Sequence, residues 1–120
     1  MIEFTLNLRT VNPTNNRQHW RKVWRRSKQQ RAEAKRATTT KWVSGLYIGP
    51  PCVVTMTRIS PGILDDDNLR PALKSIRDGI ADAFGVKDND PRIEWQYAQE
   101  RGKPKVYAVR IRIETKGNQP

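Results

Sequence analysis

Bulky apolar residues alternate with polar ones from Ile2 to Arg9 (Ile2, Phe4, Leu6, Leu8), the period-2 pattern of a strand with one buried face. Thr10 to Arg17 is rich in proline and asparagine and reads as a loop. From His19 to Ser44 the chain contains neither proline nor glycine, and Lys, Arg, Gln and Ala predominate. One long helix is predicted there, with Trp20, Val23, Trp24, Ala34, Ala37 and Trp42 as its packing side. Gly45, Gly49, Pro50 and Pro51 end it.

A second strand is expected at Cys52–Ile59, turned by Ser60-Pro61-Gly62. The next helix is expected from Asn68 to Phe84. Leu69, Leu73, Ile76, Ile80 and Ala83/Phe84 recur every three or four residues and form one apolar stripe for a sheet. Pro71 is placed in its first turn, where a missing N–H costs least, and Gly85 as its C-cap. Ile93–Glu100 and Val106–Glu114 alternate again, and Arg101-Gly102-Lys103-Pro104-Lys105 between them reads as a hairpin turn. The order β-α-β-α-β-β predicts an α+β fold: a single domain over residues 1–115, a small mixed sheet with helices packed on it, and a frayed tail from Lys116 to Pro120.

Composition narrows the function classes. With 120 residues, 36% hydrophobic and 29% charged, the chain is one globular domain with a thin core. No apolar run approaches bilayer length and no secretory signal is visible at the N-terminus, so a cytoplasmic protein without a membrane partner is expected. A lone cysteine, Cys52, excludes an internal disulfide and a thiolate-built zinc site; it reads as a small buried hydrophobe. His19 is the sole histidine, and nothing around it suggests a nucleophile relay.

Net charge is +11 and uneven. Residues 1–58 hold 12 Lys/Arg against Glu3 and Glu33, whereas residues 65–90 hold seven of the 12 acids. A basic body around one acidic knot points to a polyanion held by the first and a cation by the second. An extended Asp65-Asp66-Asp67 segment would turn Asp65 and Asp67 to one side, an oxygen-rich pair suited to magnesium or manganese. Asp67, Lys74 and Asp78 fall within one arc of the following helix. The turn Lys87-Asp88-Asn89-Asp90-Pro91 offers a second acidic group, expected to return beside the start of the helix. The spaced ligands and glycine of an EF-hand are absent.

These residues resemble the RusA-type Holliday junction resolvases. That family's pattern is Asp-x-Asp-Asn, then Lys-x-x-x-Asp on the next helix, then a paired-acid turn before a strand. Here stand Asp65-Asp66-Asp67-Asn68, Lys74-Ser75-Ile76-Arg77-Asp78 and Lys87-Asp88-Asn89-Asp90. Asn12-Pro13-Thr14-Asn15-Asn16-Arg17 is similar to the family's N-terminal Asn-Asn loop. The resemblance implies a homodimeric, magnesium-dependent endonuclease, with manganese as substitute, that resolves four-way DNA junctions. It places catalytic residues at Asp65, Asp67, Lys74 and Asp90, metal ligands at Asp65, Asp67 and Asp90, and supporting groups at Asn68, Asp78 and Asp88. Two departures are visible: Pro71 stands where the family's lysine usually falls, and the extra residue in the last turn makes Asp88 an alternative to Asp90. Asn15, Arg17, Arg21, Lys22, Arg25 and Arg26 are the expected DNA contacts. A nuclease of flaps or forks, and a non-catalytic DNA-binding or phage regulatory protein with a structural acidic cluster, are the competing readings.

Overall fold

A computed structural model describes residues 1–10 and 20–116. The Asn12–Arg17 loop, with its expected contacts Asn15 and Arg17, lies outside them, as do His19 and the end of the expected tail. The elements are β1 (Ile2–Leu6), α1 (Trp20–Ser44), β2 (Cys52–Ser60), α2 (Asp66–Phe84), β3 (Ile93–Arg101) and β4 (Ala108–Thr115). The expected α+β order is therefore present, with one mixed four-stranded sheet and two helices. β1 stops short of Arg9 because the Leu8 N–H donates to the Leu6 carbonyl at 3.0 Å, a tight turn that ends the pairing. No helix among the described residues is long and apolar enough to cross a membrane.

The strand order is β1-β4-β2-β3. β3 and β4 are thus not a hairpin. β2 lies between them, parallel to β3 and antiparallel to β4. The chain leaves Arg101, passes the end of β2, where Gly102 N–H donates to the Ser60 carbonyl at 2.8 Å, and enters β4 only at Ala108. Burial explains the arrangement. β4 is buried at Ala108, Val109, Ile111 and Ile113, and β2 at every second residue from Cys52 to Ser60, as central strands require. β3 carries Glu94, Gln96 and Glu100 exposed and takes the edge.

The register lines up Ile2, Phe4 and Leu6 of β1, Ile113, Ile111 and Val109 of β4, Val54 and Met56 of β2, and Trp95 and Tyr97 of β3 on one face. Leu69, Leu73, Ile76 and Ile80 of α2 join that layer in the core cluster, as their spacing predicts. Cys52 is wholly buried there, and burial pushes its thiol up to about 11, in keeping with a packing role.

α1 packs on α2 at very close range. A Cβ on Gly79 would fall against the Arg31 carbonyl and the Ala34 side chain. Only Ala34 and Thr38 of α1 are buried; Ala37 and Trp42 pack at the core's margin. Trp20 and Trp24, expected on the packing side, are 67% and 59% exposed. Within the first two turns of α1, Val23 and Arg26 are half-buried and no residue is fully buried.

α2 begins at Asp66, two residues before the expected Asn68. Pro71 is consequently the sixth helical residue rather than part of the first turn, and it deprives the Asp67 carbonyl of its i+4 donor. Gly85 is the C-cap, in the left-handed region at φ 74°, as expected.

Candidate metal and nucleic-acid site

The acidic segment separates into engaged and free carboxylates. Asp82 accepts a bidentate pair from Arg31 of α1, Nε at 2.6 Å and Nη2 at 2.9 Å. This hydrogen bonding lowers the Asp82 pKa. Lys74 Nζ donates to Asp78 Oδ1 and to Asp88 Oδ2, each at 2.7 Å. Burial pulls the Lys74 pKa down, but the bonds and charges of the two aspartates outweigh it and the net shift is upward. Lys74 is thus held between two carboxylates of its own chain. Its pair with Asp78 is an i,i+4 contact along α2.

The turn after α2 is fixed from several sides. The Asp88 carbonyl accepts Trp95 Nε1 at 2.8 Å and Arg77 Nη2 at 2.9 Å. Arg77 lies over the Trp95 ring, 4.8 Å from its centroid, and donates to the Tyr97 hydroxyl at 2.8 Å. Its Nε approaches Asp88 Oδ2 at 3.1 Å without hydrogen-bond alignment. The bond from Lys74 first, and then the charges of Lys74 and Arg77, lower the Asp88 pKa. Two residues on, Asp90 binds Arg92 with both oxygens: Oδ1 accepts the Arg92 N–H and Nε, and Oδ2 accepts Nη2. Those bonds hold the Asp90 carboxyl down to about 2.

Asp65, Asp66 and Asp67 differ from all of these. They are exposed, and among the described residues none is in an ion pair or a side-chain hydrogen bond. Asp65 is the N-cap of α2, yet its carboxylate makes no capping bond; its carbonyl instead accepts the Asn68 and Leu69 N–H groups. Because Asp66 is already helical, the alternation that would pair Asp65 with Asp67 holds only up to the cap. Asp66 and Asp67 stand about 100° apart around the axis. Asn68 is half-buried on the same turn.

Asp90 does not return to this group within the chain. β2 and β3 are parallel, with Cys52 opposite Ile93 and Ser60 opposite Arg101. Asp65 therefore follows the far end of β2, whereas Asp90 precedes the near end of β3. Eight strand residues at about 3.3 Å each put those two strand ends roughly 25 Å apart. A helix followed by a parallel strand carries the chain away and back to the opposite end of the sheet. Accordingly, no group of three or more His, Cys, Asp or Glu among the described residues is placed to hold a metal ion.

The approach to Asp65 is braced by a polar knot that the sequence reading missed. Gln99 of β3 accepts the Leu64 N–H at 2.9 Å and donates to the Leu64 carbonyl at 2.7 Å. Arg58, buried on β2, donates to the Gly62 carbonyl at 2.8 Å and to Thr10 Oγ1 at 3.1 Å. Burial, and after it the charge of Arg9, lower the Arg58 pKa. A buried arginine satisfied by neutral acceptors fixes the loop that delivers Asp65. The only available signal was an arginine at an inward position of β2. Gln99→Leu is expected to cost about 1–3 kcal/mol by stripping partners from Leu64 and Arg58. A lower urea midpoint at unchanged slope would show it.

On the other side of α2 stands the basic part of α1. Arg21, Lys22 and Arg25 are exposed and Arg26 is half-buried. Comparison of the sequence with protein-family models gives no match, and comparison with curated proteins gives none either.

Proposed function

We propose that this protein is a magnesium-dependent endonuclease of branched DNA, acting as a homodimer that nicks opposing strands of a four-way junction. The observation that carries the reading is the division among the acids. Asp78, Asp82, Asp88 and Asp90 are all neutralised by cations of the chain, whereas Asp65, Asp66 and Asp67 stand together with no ion pair among the described residues, in a protein of net charge +11. An exposed acidic turn in such a basic protein weakens phosphate binding unless it recruits a cation. The donors are all oxygen, which suits a hard divalent ion.

In this reading Asp65 and Asp67 hold the ion. When bound, it supplies an acidified water and neutralises charge on the phosphate. Magnesium keeps several waters and is commonly held by one or two carboxylates; a contribution from Asp90, which the family resemblance implies, would come from a second copy. Lys74 lies two helical turns beyond Asp67 on the same arc, where its ammonium would meet a phosphate after exchanging one aspartate for it. Arg21, Lys22, Arg25 and Arg26 neutralise the flanking backbone.

A synthetic four-way junction, a flap and a plain duplex, each with magnesium or with chelator, test the proposal. Paired nicks in the junction that require magnesium are expected. Preference for the flap would move the substrate to forks. With no cutting of any substrate in magnesium or manganese, the protein is a DNA-binding module with a structural acidic turn. That second reading has one observation in its favour, the occupation of both Asp90 oxygens by Arg92.

A further inference from the structure

Trp20 and Trp24 present two large rings to solvent on the first turns of α1. They are four residues apart, hence on one side of the helix and about 6 Å apart along its axis. Each carries a cation against its ring: the Arg21 guanidinium is 5.4 Å from the Trp20 ring centre, and Lys28 Nζ is 4.9 Å from that of Trp24. Trp20, Arg21, Trp24 and Arg25 enclose an open recess of about 310 Å³. A second recess, of about 440 Å³, continues from Trp24 past Lys28 to Ser75 and Asp78 on α2. The rings therefore lead from the tip of α1 toward the helix that bears the free aspartates.

The charge around these exposed rings decides which partner suits them. Residues 22–28 include Lys22, Arg25, Arg26 and Lys28 and no acid, and Arg21 precedes them. A second copy of this helix laid face to face would bring two such cation sets together in a low-dielectric contact, which is strongly unfavourable. An apolar protein partner would bring no counter-charge to Lys22, Arg25, Arg26 and Lys28. A nucleic acid strand satisfies both demands at once, its phosphates meeting the cations and its bases the rings. In a duplex the base faces are already stacked on one another and closed to the rings.

We propose that the Trp20–Trp24 step is a stacking platform for unpaired bases, one strand lying along α1 with its phosphates on Arg21, Lys22, Arg25 and Arg26. This rests on the nucleic-acid part of the proposed function but not on cutting. At a branch point, where pairing is interrupted, the platform would select the splayed strand and hold the adjoining phosphate toward α2.

The test is binding of a short oligothymidylate and of a hairpin duplex of equal charge, in chelator, over a range of salt. Wild-type tryptophan fluorescence should be quenched by the single strand. Trp20→Ala/Trp24→Ala should weaken oligothymidylate binding by about tenfold or more, since each stacked base contributes roughly 1–3 kcal/mol. Duplex binding and the salt slope should stay unchanged. Arg25→Gln/Arg26→Gln should instead lower the slope for single strands by about 1.4. Equal affinity of the tryptophan variant for oligothymidylate, or an equal loss on both probes, would overturn the platform. So would a wild-type dimer that the tryptophan variant dissociates into monomers, since the rings would then belong to a second copy. Because no step requires magnesium, oligothymidylate binding without junction cutting would sink the nuclease reading and leave the platform standing.

Discussion

Replacing Asp67 with Asn is expected to lower magnesium-dependent junction cutting by about a thousandfold while leaving junction binding equal or tighter. Removing one carboxylate from a metal-assisted displacement costs several kcal/mol of transition-state stabilisation, and about 4 kcal/mol corresponds to that factor. Binding in chelator should not suffer, because a negative charge facing phosphates disappears. The fold should not suffer either, since Asp67 is exposed and bonded to no side chain among the described residues. Unchanged cutting by both Asp65→Asn and Asp67→Asn would remove these residues from the chemistry.

Mixing variants examines the role of Asp90. Within a chain it sits at the opposite end of the sheet from Asp65, so a shared site has to be built across a dimer. Asp67→Asn and Asp90→Asn should each be inactive alone. Mixed and re-equilibrated in equal amounts, half the dimers combine one of each, and each mixed dimer carries one intact site. Nicking should then recover to about a quarter of the wild-type rate. Failure to recover, with mixed dimers demonstrated, would rule out a site shared between the two subunits.

Gly79→Val is expected to produce the largest loss of stability, about 3 kcal/mol, with a fall of roughly 10 °C in Tm. Removing a helical glycine by itself brings a gain of up to about 1 kcal/mol. Here the new Cβ meets the Arg31 backbone carbonyl, which no rotamer change can move, and approaches the Ala34 Cβ at 2.8 Å. The helices must separate, and the Arg31–Asp82 pair lies at the same crossing. Overpacking therefore outweighs propensity. A Tm within about 2 °C of wild type would mean that α1 and α2 are not in backbone contact.

The parts of this fold that were legible in the sequence are the local ones. The α2 stripe, Gly85 and the alternation of the strands follow from spacing and backbone chemistry alone. Strand order was not legible, because Gly102 and Pro104 suit a passage over the end of β2 as well as a hairpin. The difference lay in how thoroughly β2 and β4 are apolar on their inward face. Trp20 and Trp24 failed as core residues because helical spacing shows which side chains share a face, not whether anything lies opposite that face. For the candidate site, the Lys74–Asp78 pair could be read from spacing, whereas the alternation expected to pair Asp65 with Asp67 stops at the cap of α2. The position of Asp90 could not, since it depends on whether the strand after α2 runs parallel or antiparallel to β2.

The pairing of Ile2 with Ile113 and of Leu6 with Val109 has a bearing on how this chain is made. β1 precedes the other described elements in the chain, yet the strand it pairs with, β4, comes after all of them. β2 likewise waits for β3 and β4 to flank it. Helix α2 can form early on local contacts, but the sheet has to close across nearly the whole chain, which slows folding and leaves strand edges open meanwhile. Until β3 and β4 flank it, β2 has both edges open, and pairing with β4 closes the sheet.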